Sequence, residues 1–326
     1  MKKVLALILA LTMLLSLTAC GGKEEETITF VLDWTPNTNH TGIYVALQKG
    51  WFEEAGLKVD VVQPPEGGSA LLVASGKVQF AVTAQDSIAP ALTGENAMPL
   101  TTVAAILQHN TSGIVSRAGE GMDTPRGLEG KKYATWDLDV EKATIRDVMA
   151  ADGGNFDLVE LIPSTVTDEV SALQSGSVDA IWIFYGWAGV ACEVAGLDTD
   201  YFEFADIDPV FDYYTPVLIG SNAWLEENPD AARAFLAALS KGYTYAAEHP
   251  AEAADILMEA APELKANSAL VYASQEYLAG EYIADAARWG EFDGERWAAF
   301  FNWLNENDLM EQKLDPDFGY TNDYLP

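Results

Sequence analysis

Leu32-Asp33-Trp34-Thr35-Pro36-Asn37-Thr38-Asn39-His40-Thr41-Gly42 joins an apolar, strand-like run (residues 28–32) to an amphipathic helical run (residues 42–54). In α/β proteins such a loop lies at the carboxyl edge of a sheet, where ligands bind. Its amides and imidazole can donate and accept hydrogen bonds, and its indole offers a flat apolar face. These residue types predict a ligand-binding loop, although helix caps and a core tryptophan would produce a similar pattern.

Strands and helices alternate in the chain that follows this loop. Polar residues occupy two further strand-to-helix turns, so Gly68, Ser69, Gln85 and Asp86 are also candidates for ligand contacts. The alternation predicts a mostly parallel sheet that is covered by helices. Strands are expected at residues 28–33, 57–63 and 78–83, and helices at residues 44–55 and 70–75.

The same pattern restarts after a polar, Gly-rich segment at residues 119–130. A helix that ends in Ser-Gly, followed by a Val that begins a strand, occurs at residues 70–78 and again at 171–178. The last third of the chain is almost entirely helical in pattern, and its simplest arrangement packs on the first unit. We therefore predict two α/β lobes with a ligand cleft between them. The predicted boundaries are 28–117 and 216–326 for lobe 1 and 118–215 for lobe 2.

The amino-terminal residues match a bacterial lipoprotein signal. A positive start is followed by an apolar core at residues 4–17 and by Leu-Thr-Ala-Cys-Gly-Gly at residues 17–22. This pattern predicts a signal peptide at residues 1–19, a lipid on Cys20 and a flexible tether at residues 20–27. It places the protein on the extracytoplasmic face of the cell membrane, held there by its lipid.

Composition and motifs exclude several classes of function. A net charge of −32 argues against nucleic acid and anionic membrane surfaces as partners. If Cys20 is acylated, the second cysteine, Cys192, has no partner for an intrachain disulfide. The sequence lacks metal-ligand spacing, a P-loop, a dinucleotide fingerprint and a nucleophile elbow. We expect a monomer with no metal, no cofactor and no catalytic residue.

Aromatic residues in polar company form a second group of candidates. They follow strands of the second unit or lie just before the chain crosses back to lobe 1. Each of them could line the cleft or pack in a core. The candidates are Trp136, Tyr185, Trp187, Glu193, Tyr213 and Tyr214.

The segment 33–42 resembles the signature of the thiamine-pyrimidine-precursor family. Supporting similarities are Lys49-Gly50-Trp51-Phe52, Ser75-Gly76-Lys77-Val78 and Glu227-Asn228-Pro229. That family contains solute-binding proteins of bacterial ABC importers and the fungal thiamine pyrimidine synthases. The resemblance implies a two-lobed, type II periplasmic-binding-protein-like fold that closes on a flat heteroaromatic ligand and delivers it to a membrane permease.

The resemblance also implies roles for individual residues. Trp34 would stack on the ligand, and Asn37, Asn39 and His40 would bind its ring and amino groups. Tyr185 and Trp187 would form a second stacking face, and Glu193 would accept a hydrogen bond from an exocyclic amine. Tyr44, on the helix after the loop, completes the set of candidates.

Two departures separate this chain from the fungal synthases. Thr83 and Ser87 occupy the positions where the resemblance expects a lysine and a histidine, and the segment 209–216 lacks the synthases' cysteines. Without the lysine, no Schiff base to pyridoxal phosphate can form there. We therefore predict a protein that captures a thiamine pyrimidine precursor and is not an enzyme.

Three alternatives remain at this point. Riboflavin is also flat and has an amide edge, so it is an alternative ligand. Pyrimidine synthesis is a less favoured function. A sulfonate or nitrate binder of the same fold would need Arg or Lys in the cleft, and the candidate loops are poor in both.

Overall fold

The computed structural model describes residues 27–65 and 68–326, which form two five-stranded sheets covered by helices. The predicted signal peptide and lipidation site, and almost all of the tether, lie outside these residues. Within the described ranges, no helix is long and apolar enough to cross a membrane. The strands are β1 Thr27–Val31, β2 Lys58–Val62, β3 Phe80–Thr83, β4 Leu100–Ala105, β5 Ser112–Arg117, β6 Lys132–Thr135, β7 Glu160–Pro163, β8 Ala180–Phe184, β9 Thr199–Glu203 and β10 Val217–Ser221.

The helices are longest in the carboxyl-terminal third of the chain. The α-helices are α1 Thr41–Gln48, α2 Trp51–Glu54, α3 Ala70–Ala74, α4 Gln85–Ile88, α5 Asp139–Ala151, α6 Glu169–Ser175, α7 Val190–Val194, α8 Phe204–Ile207, α9 Asn222–Glu227, α10 Pro229–Glu248, α11 Pro250–Ala260, α12 Ser268–Glu281 and α13 Gly294–Glu306. Short 3-10 helices include Thr38–His40, Pro209–Phe211 and Pro262–Asn267, and a π-helix spans Tyr185–Gly189.

The two sheets have matching topologies, β2-β1-β3-β10-β4 in lobe 1 and β7-β6-β8-β5-β9 in lobe 2. One strand in each sheet, β10 or β5, runs antiparallel to its neighbours. Both of these strands follow segments that cross between the lobes, so the chain enters them at the cleft edge. The carboxyl ends of the parallel strands in both sheets therefore face the cleft. The predicted two-lobed α/β architecture is confirmed.

Strand β5 corrects the predicted boundary of lobe 1. The sequence pattern places residues 112–117 at the end of lobe 1, whereas their backbone pairs with β8 and β9 in lobe 2. The first crossing between lobes therefore lies at residues 106–111. A short apolar strand does not specify which sheet it joins, because both sheets offer the same backbone hydrogen bonds.

The helical tail packs on lobe 1, and helix α10 makes the closest approach. Phe235 of α10 stacks on Phe80 at 4.4 Å between ring centroids and on Phe52 at 5.1 Å. A side chain at Gly242 of α10 would overlap the carbonyl oxygen of Gly42 in α1. The two helices thus touch through their backbones, just beyond the loop that precedes α1.

The tail also holds this loop by buried hydrogen bonds. The hydroxyl of Tyr243 donates to the carbonyl of Asn39 at 2.8 Å, and that of Tyr282 donates to the carbonyl of Thr38 at 2.7 Å. The hydroxyl of Thr41 donates to the side-chain carbonyl of Gln275 at 2.6 Å. Residues more than two hundred positions away therefore satisfy the loop's polar groups.

Gly242→Ala tests the backbone contact between α1 and α10. We expect the free energy of unfolding to fall by about 1–3 kcal/mol, because the added methyl group must separate the two helices. Chemical denaturation measures this change. Gly280→Ala is the matched control, since an added side chain at Gly280 would meet no atom within 4 Å. Equal stabilities of the two variants would contradict the proposed contact.

Candidate functional site

Three exposed aromatic side chains mark the facing edges of the two lobes. Trp34 follows β1 in lobe 1, Trp136 follows β6 in lobe 2, and Phe184 ends β8 in lobe 2. Their exposed fractions are 58%, 42% and 39%, which is unusual for large apolar rings. Exposed aromatic residues at the carboxyl ends of parallel strands are candidates for a surface that binds an apolar or flat ligand. Phe184 is a member of this group that the sequence analysis did not single out.

His40 contributes to the site from inside the protein. Its ring is completely buried, and its Nδ1 accepts a hydrogen bond from the backbone N–H of Asn37 at 3.2 Å. The other nitrogen, Nε2, then carries the proton and donates to Asp33 Oδ1 at 2.7 Å. The predicted direct contact between His40 and a ligand is therefore wrong, because both ring nitrogens are engaged within the loop.

Asp33 is a candidate ligand-binding residue of this loop that the sequence analysis missed. His40 holds one carboxylate oxygen, and the side chain remains 33% exposed beside Trp34. A carboxylate fixed in this way can accept a hydrogen bond from an amine of the ligand. The sequence feature that could have identified Asp33 as a candidate is its position just after the end of strand β1.

The two asparagines of the loop differ in their engagement. Asn37 caps the 3-10 helix, since its side-chain oxygen accepts from the backbone N–H of Asn39 at 2.9 Å. Its side-chain nitrogen donates to the carbonyl of Thr35 at 3.1 Å. Asn37 therefore shapes the loop, and both asparagines are half-buried. Both the capping role and a ligand role had been compatible with the sequence.

On the lobe 2 side, a buried carboxylate fixes the loop that carries Trp136. Glu141 accepts hydrogen bonds from the hydroxyls of Tyr133 (2.6 Å) and Thr135 (3.1 Å). It also accepts from the backbone N–H groups of Trp136 (3.1 Å) and Leu138 (3.2 Å). Four donors on one buried acid define the loop's conformation and hence the direction of the exposed indole.

Tyr185 and Glu193 form a second polar element of lobe 2. The hydroxyl of Tyr185 donates to the exposed carboxylate of Glu193. Burial and this carboxylate raise the pKa of Tyr185 to about 12, so the hydroxyl stays protonated and keeps donating. The Tyr185 ring lies 4.8 Å from that of Tyr201 and 5.3 Å from that of Tyr277 in lobe 1. The two lobes thus touch at this point.

Tyr44 and Trp187 lie at another contact between the lobes. Both rings are partly buried against one apolar cluster of the helical tail, which includes Leu257 and Val271. Burial raises the pKa of Tyr44. This geometry does not favour the predicted stacking of Trp187 on a ligand, because side chains of lobe 1 already cover part of the indole.

Four other predicted site residues serve the structure. Gln85 is completely buried, its amide bonded to the backbone of Tyr214 and of Trp297. Tyr214 is buried and accepts from the backbone N–H of residue 293. Ser69 bonds the carbonyl of Val82 at 3.3 Å and does not cap α3. Tyr213 is buried and stacks on residue 300 at 4.0 Å. A position at the end of a strand suggests access to the cleft, but tertiary packing covers these four side chains.

Asp86 and Gly68 are the remaining candidates in lobe 1. Asp86 follows β3 at the cleft edge and accepts from Ser87, and its other oxygen lies 3.4 Å from the hydroxyl of Tyr213. Burial raises the pKa of Asp86. Gly68 is exposed with φ of 79°, and the two residues before it lie outside the described part of the chain. Among the described residues, no group of His, Cys, Asp and Glu could hold a metal ion.

The two crossing segments are tied together by charged side chains. His109 donates to Asp212 at 2.8 Å, and the same carboxylate accepts from the backbone N–H of Asn110 at 3.0 Å. The hydrogen bond to Asp212 raises the pKa of His109. Arg296 of α13 donates to the carbonyl of Gln108 at 2.5 Å. This network fixes the hinge on which the lobes meet.

Acidic side chains from both lobes approach one another beside the hinge. Burial, together with the carboxylates of Asp206, Glu281 and Asp212, raises the pKa of Glu203, on β9, to about 7, and His109 opposes this rise. Burial also raises the pKa of Glu281 on α12 of lobe 1. Contact between the lobes therefore favours the protonated form of Glu203.

Comparison with known proteins identifies a matching family and two relatives. Residues 37–253 match the model of the family described as NMT1/THI5 like. A formylaminopyrimidine-binding protein of Halalkalibacterium halodurans is 30% identical, and the alignment covers 96% of each chain. A 4-amino-5-hydroxymethyl-2-methylpyrimidine phosphate synthase of Saccharomyces cerevisiae is 23% identical over 93% of this chain and 88% of that protein.

A solved structure shows the same fold. The periplasmic aliphatic sulphonate-binding protein SsuA of Escherichia coli superposes with a TM-score of 0.68, covering 89% of this chain and 96% of that one at 17% identity. Similarity at this level of identity concerns the fold alone. It confirms the predicted type II periplasmic-binding-protein-like architecture.

We predict that the acidic contact between the lobes makes their closure dependent on pH. Separation of the lobes removes Glu281 of lobe 1 from the neighbourhood of Glu203, which lowers the pKa of Glu203 toward its ordinary value of 4.5. The closed form therefore holds the proton more tightly, so closure is favoured as the pH falls through about 7 and is lost as it rises. Small-angle scattering should show a smaller radius of gyration at about pH 5.5 than at about pH 8.

Glu203→Gln is the control for this pH dependence. The amide cannot ionise, so we expect this variant to stay compact across the same pH range. His109 also gains a proton as the pH falls. The variant His109→Gln therefore measures how much of the change in the radius of gyration comes from His109. A wild-type radius that does not change with pH would contradict the role assigned to Glu203.

Proposed function

Because this chain belongs to the NMT1/THI5-like family, we propose that it is the solute-binding component of an ABC importer and captures a thiamine pyrimidine precursor between its lobes. The formylaminopyrimidine-binding relative favours a formylaminopyrimidine or a closely related aminopyrimidine. The observation that carries the proposal is the exposed Trp34 of lobe 1 with the fixed carboxylate of Asp33 beside it.

The ring chemistry of an aminopyrimidine fits these side chains. Its flat face stacks on the indole of Trp34, which adds about 0.5–1.5 kcal/mol to area burial for each aromatic contact. Its exocyclic amine donates to Asp33, and Glu193 is the corresponding acceptor in lobe 2. Trp136 and Phe184 supply further apolar surface from the opposite edge of the cleft. Closure then encloses the ligand and creates the shape that the permease recognises.

Charge in the cleft argues against anionic ligands. The loops at residues 33–40, 84–87, 135–138 and 184–193 contain Asp and Glu but neither Lys nor Arg. A sulfonate, a nitrate or a phosphate ester would meet carboxylates there, and the nearby Lys142 already pairs with Asp137. A neutral or protonated amine does not incur this cost. We therefore place the ligand in the unphosphorylated, amine-bearing class.

Capture is favoured over synthesis. Thr83 ends β3 at the cleft edge, and Ser87 lies in the helix that follows. Neither side chain can form a Schiff base with pyridoxal phosphate, which needs a primary amine. The proposal is accordingly a binding protein without catalytic activity, even though the family also contains synthases.

Attachment and location complete the proposal. The lipoprotein signal at the amino terminus supports lipidation of Cys20 and an extracytoplasmic position next to the permease. A monomer with a single cleft suffices for this role. Globomycin treatment of the expressing cells, which blocks lipoprotein signal cleavage, should leave the precursor unprocessed, and an unchanged mature mass would contradict lipidation.

Riboflavin is the second candidate ligand. The number of exposed aromatic residues, Trp34, Trp136 and Phe184, would also suit the larger isoalloxazine ring. Riboflavin fluorescence is quenched when the ring stacks on tryptophan, so a titration separates the two ligands. Quenching at low concentrations, with no heat from a formylaminopyrimidine, would favour riboflavin.

Trp34→Ala tests the stacking role. We expect affinity for a formylaminopyrimidine to fall about 10- to 100-fold, because the substitution removes both the stacking and the apolar area of the indole. Isothermal titration calorimetry measures the change. Phe318→Ala is the control, since Phe318 is similarly exposed but lies outside the cleft loops. The thermal midpoint of unfolding should be unchanged in both variants.

Two outcomes would contradict the proposed function. The first is wild-type affinity in Trp34→Ala, which would remove the loop from the binding site. The second is formation of a pyrimidine product when pyridoxal phosphate and iron are added to the protein, which would make the chain a synthase.

A further inference from the structure

One buried hydroxyl joins the binding loop of lobe 1 to the opposite lobe. Ser274 of α12 is completely buried and lies 2.5 Å from the hydroxyl of Thr38, which belongs to the 3-10 helix of the binding loop. The Ser274 hydroxyl donates to the carbonyl of Gly186 in the π-helix of lobe 2. Since Ser274 donates its proton to Gly186, the Thr38 hydroxyl must donate to Ser274. The chain Thr38–Ser274–Gly186 thus crosses from one lobe to the other.

Gly186 makes this approach possible because it has no side chain. A Cβ atom at residue 186 would lie 2.6 Å from Cδ2 and 3.1 Å from Cγ of Leu278, and 3.4 Å from Cδ1 of Tyr277. Both of these residues belong to α12. The φ angle of Gly186 lies outside the left-handed region, so its backbone conformation does not require glycine. Close packing between the lobes is therefore the reason that this position lacks a side chain.

The residues next to Gly186 extend the same contact. Trp187 packs on the apolar cluster of the helical tail in lobe 1, and the ring of Tyr185 lies 5.3 Å from that of Tyr277. Gly186 is thus the centre of a surface where lobe 2 rests on α12. The same π-helix begins directly after β8, whose end lies at the cleft.

We propose that Ser274 and Gly186 form a closure junction, which positions the two lobes around a bound ligand and breaks when they separate. The proposal rests on the proposed function as a solute-binding protein. In separated lobes, water satisfies the hydroxyl of Ser274 and the carbonyl of Gly186. The junction therefore stabilises the closed form relative to the open form. It acts on ligand release more than on the first encounter.

The junction also couples ligand contact to closure. Thr38 lies in the middle of the loop in which Asp33 and His40 are linked, and Tyr282 fixes its carbonyl. The loop, Thr38 and Ser274 therefore form one connected unit. Ligand binding to the loop and contact of lobe 2 with Ser274 both affect this unit. Ser274 and Gly186 are positioning residues, which act through the arrangement of the lobes and not on the ligand itself.

Gly186→Ala is the principal test. The added methyl group meets Leu278 only when the lobes close, so we expect the affinity for a formylaminopyrimidine to fall at least tenfold, mainly through faster dissociation. Surface plasmon resonance separates the two rate constants. The thermal midpoint without ligand should be unchanged or slightly higher. Gly280→Ala on α12 is the matched control and should bind as the wild type does, because its methyl group meets no atom within 4 Å.

Ser274→Ala tests the hydrogen bond separately from the packing. We expect dissociation to become several-fold faster, with association unchanged. Ser240→Ala removes a buried hydroxyl from α10 and serves as the control. Wild-type dissociation rates in both Gly186→Ala and Ser274→Ala would overturn the proposal.

A measurement without ligand distinguishes failure of the junction from failure of the proposed function. Fluorophores at the exposed positions 58 and 160, one on each lobe, report closure by single-molecule energy transfer. The ligand-free wild type should visit a closed state that is at least tenfold rarer in Gly186→Ala. If the wild type binds no aminopyrimidine but this difference is present, the proposed ligand is wrong and the junction stands. Equal closed populations would overturn the junction.

Discussion

The binding loop depends on buried hydrogen bonds that come from the far end of the chain. Backbone carbonyls of Thr38 and Asn39 lie inside lobe 1, where an unpaired carbonyl would be costly. Tyr243 and Tyr282 satisfy these carbonyls, and Gln275 satisfies the hydroxyl of Thr41. The loop therefore adopts its shape only when the helical tail has returned to lobe 1.

Hydrogen-bonded carboxylates have an organising role in both lobes. His40 fixes Asp33 in lobe 1, and Glu141 fixes the loop of Trp136 in lobe 2 through four hydrogen bonds. Each acid places an exposed indole, or lies next to one, at the end of a parallel strand. The two lobes thus share one arrangement, a hydrogen-bonded acid beside an exposed aromatic ring, which suits the flat ligand that we propose.

Local signals in the sequence were sufficient for the architecture and for the exposure of two site candidates. The end of a parallel strand determines which residue enters the cleft, and Trp34 and Trp136 are indeed exposed there. The same rule fails for Gln85 and Tyr214, because residues distant in sequence cover them. The closure residue Ser274 carries no local signal at all, since its partners Thr38 and Gly186 are 236 and 88 positions away. The prediction assigns strand β5 to the wrong lobe for a similar reason. Its own residues do not indicate that it pairs with β8 and β9, which lie far along the chain.

Capture in a closing cleft is the central claim, and hydrogen exchange measured with and without a formylaminopyrimidine tests it most directly. Binding between the lobes should slow exchange together in the loop at residues 33–41, in the segments 135–138 and 184–193 of lobe 2, and in helix α12. Slowed exchange in only one lobe, or no change in any of these segments, would contradict the account.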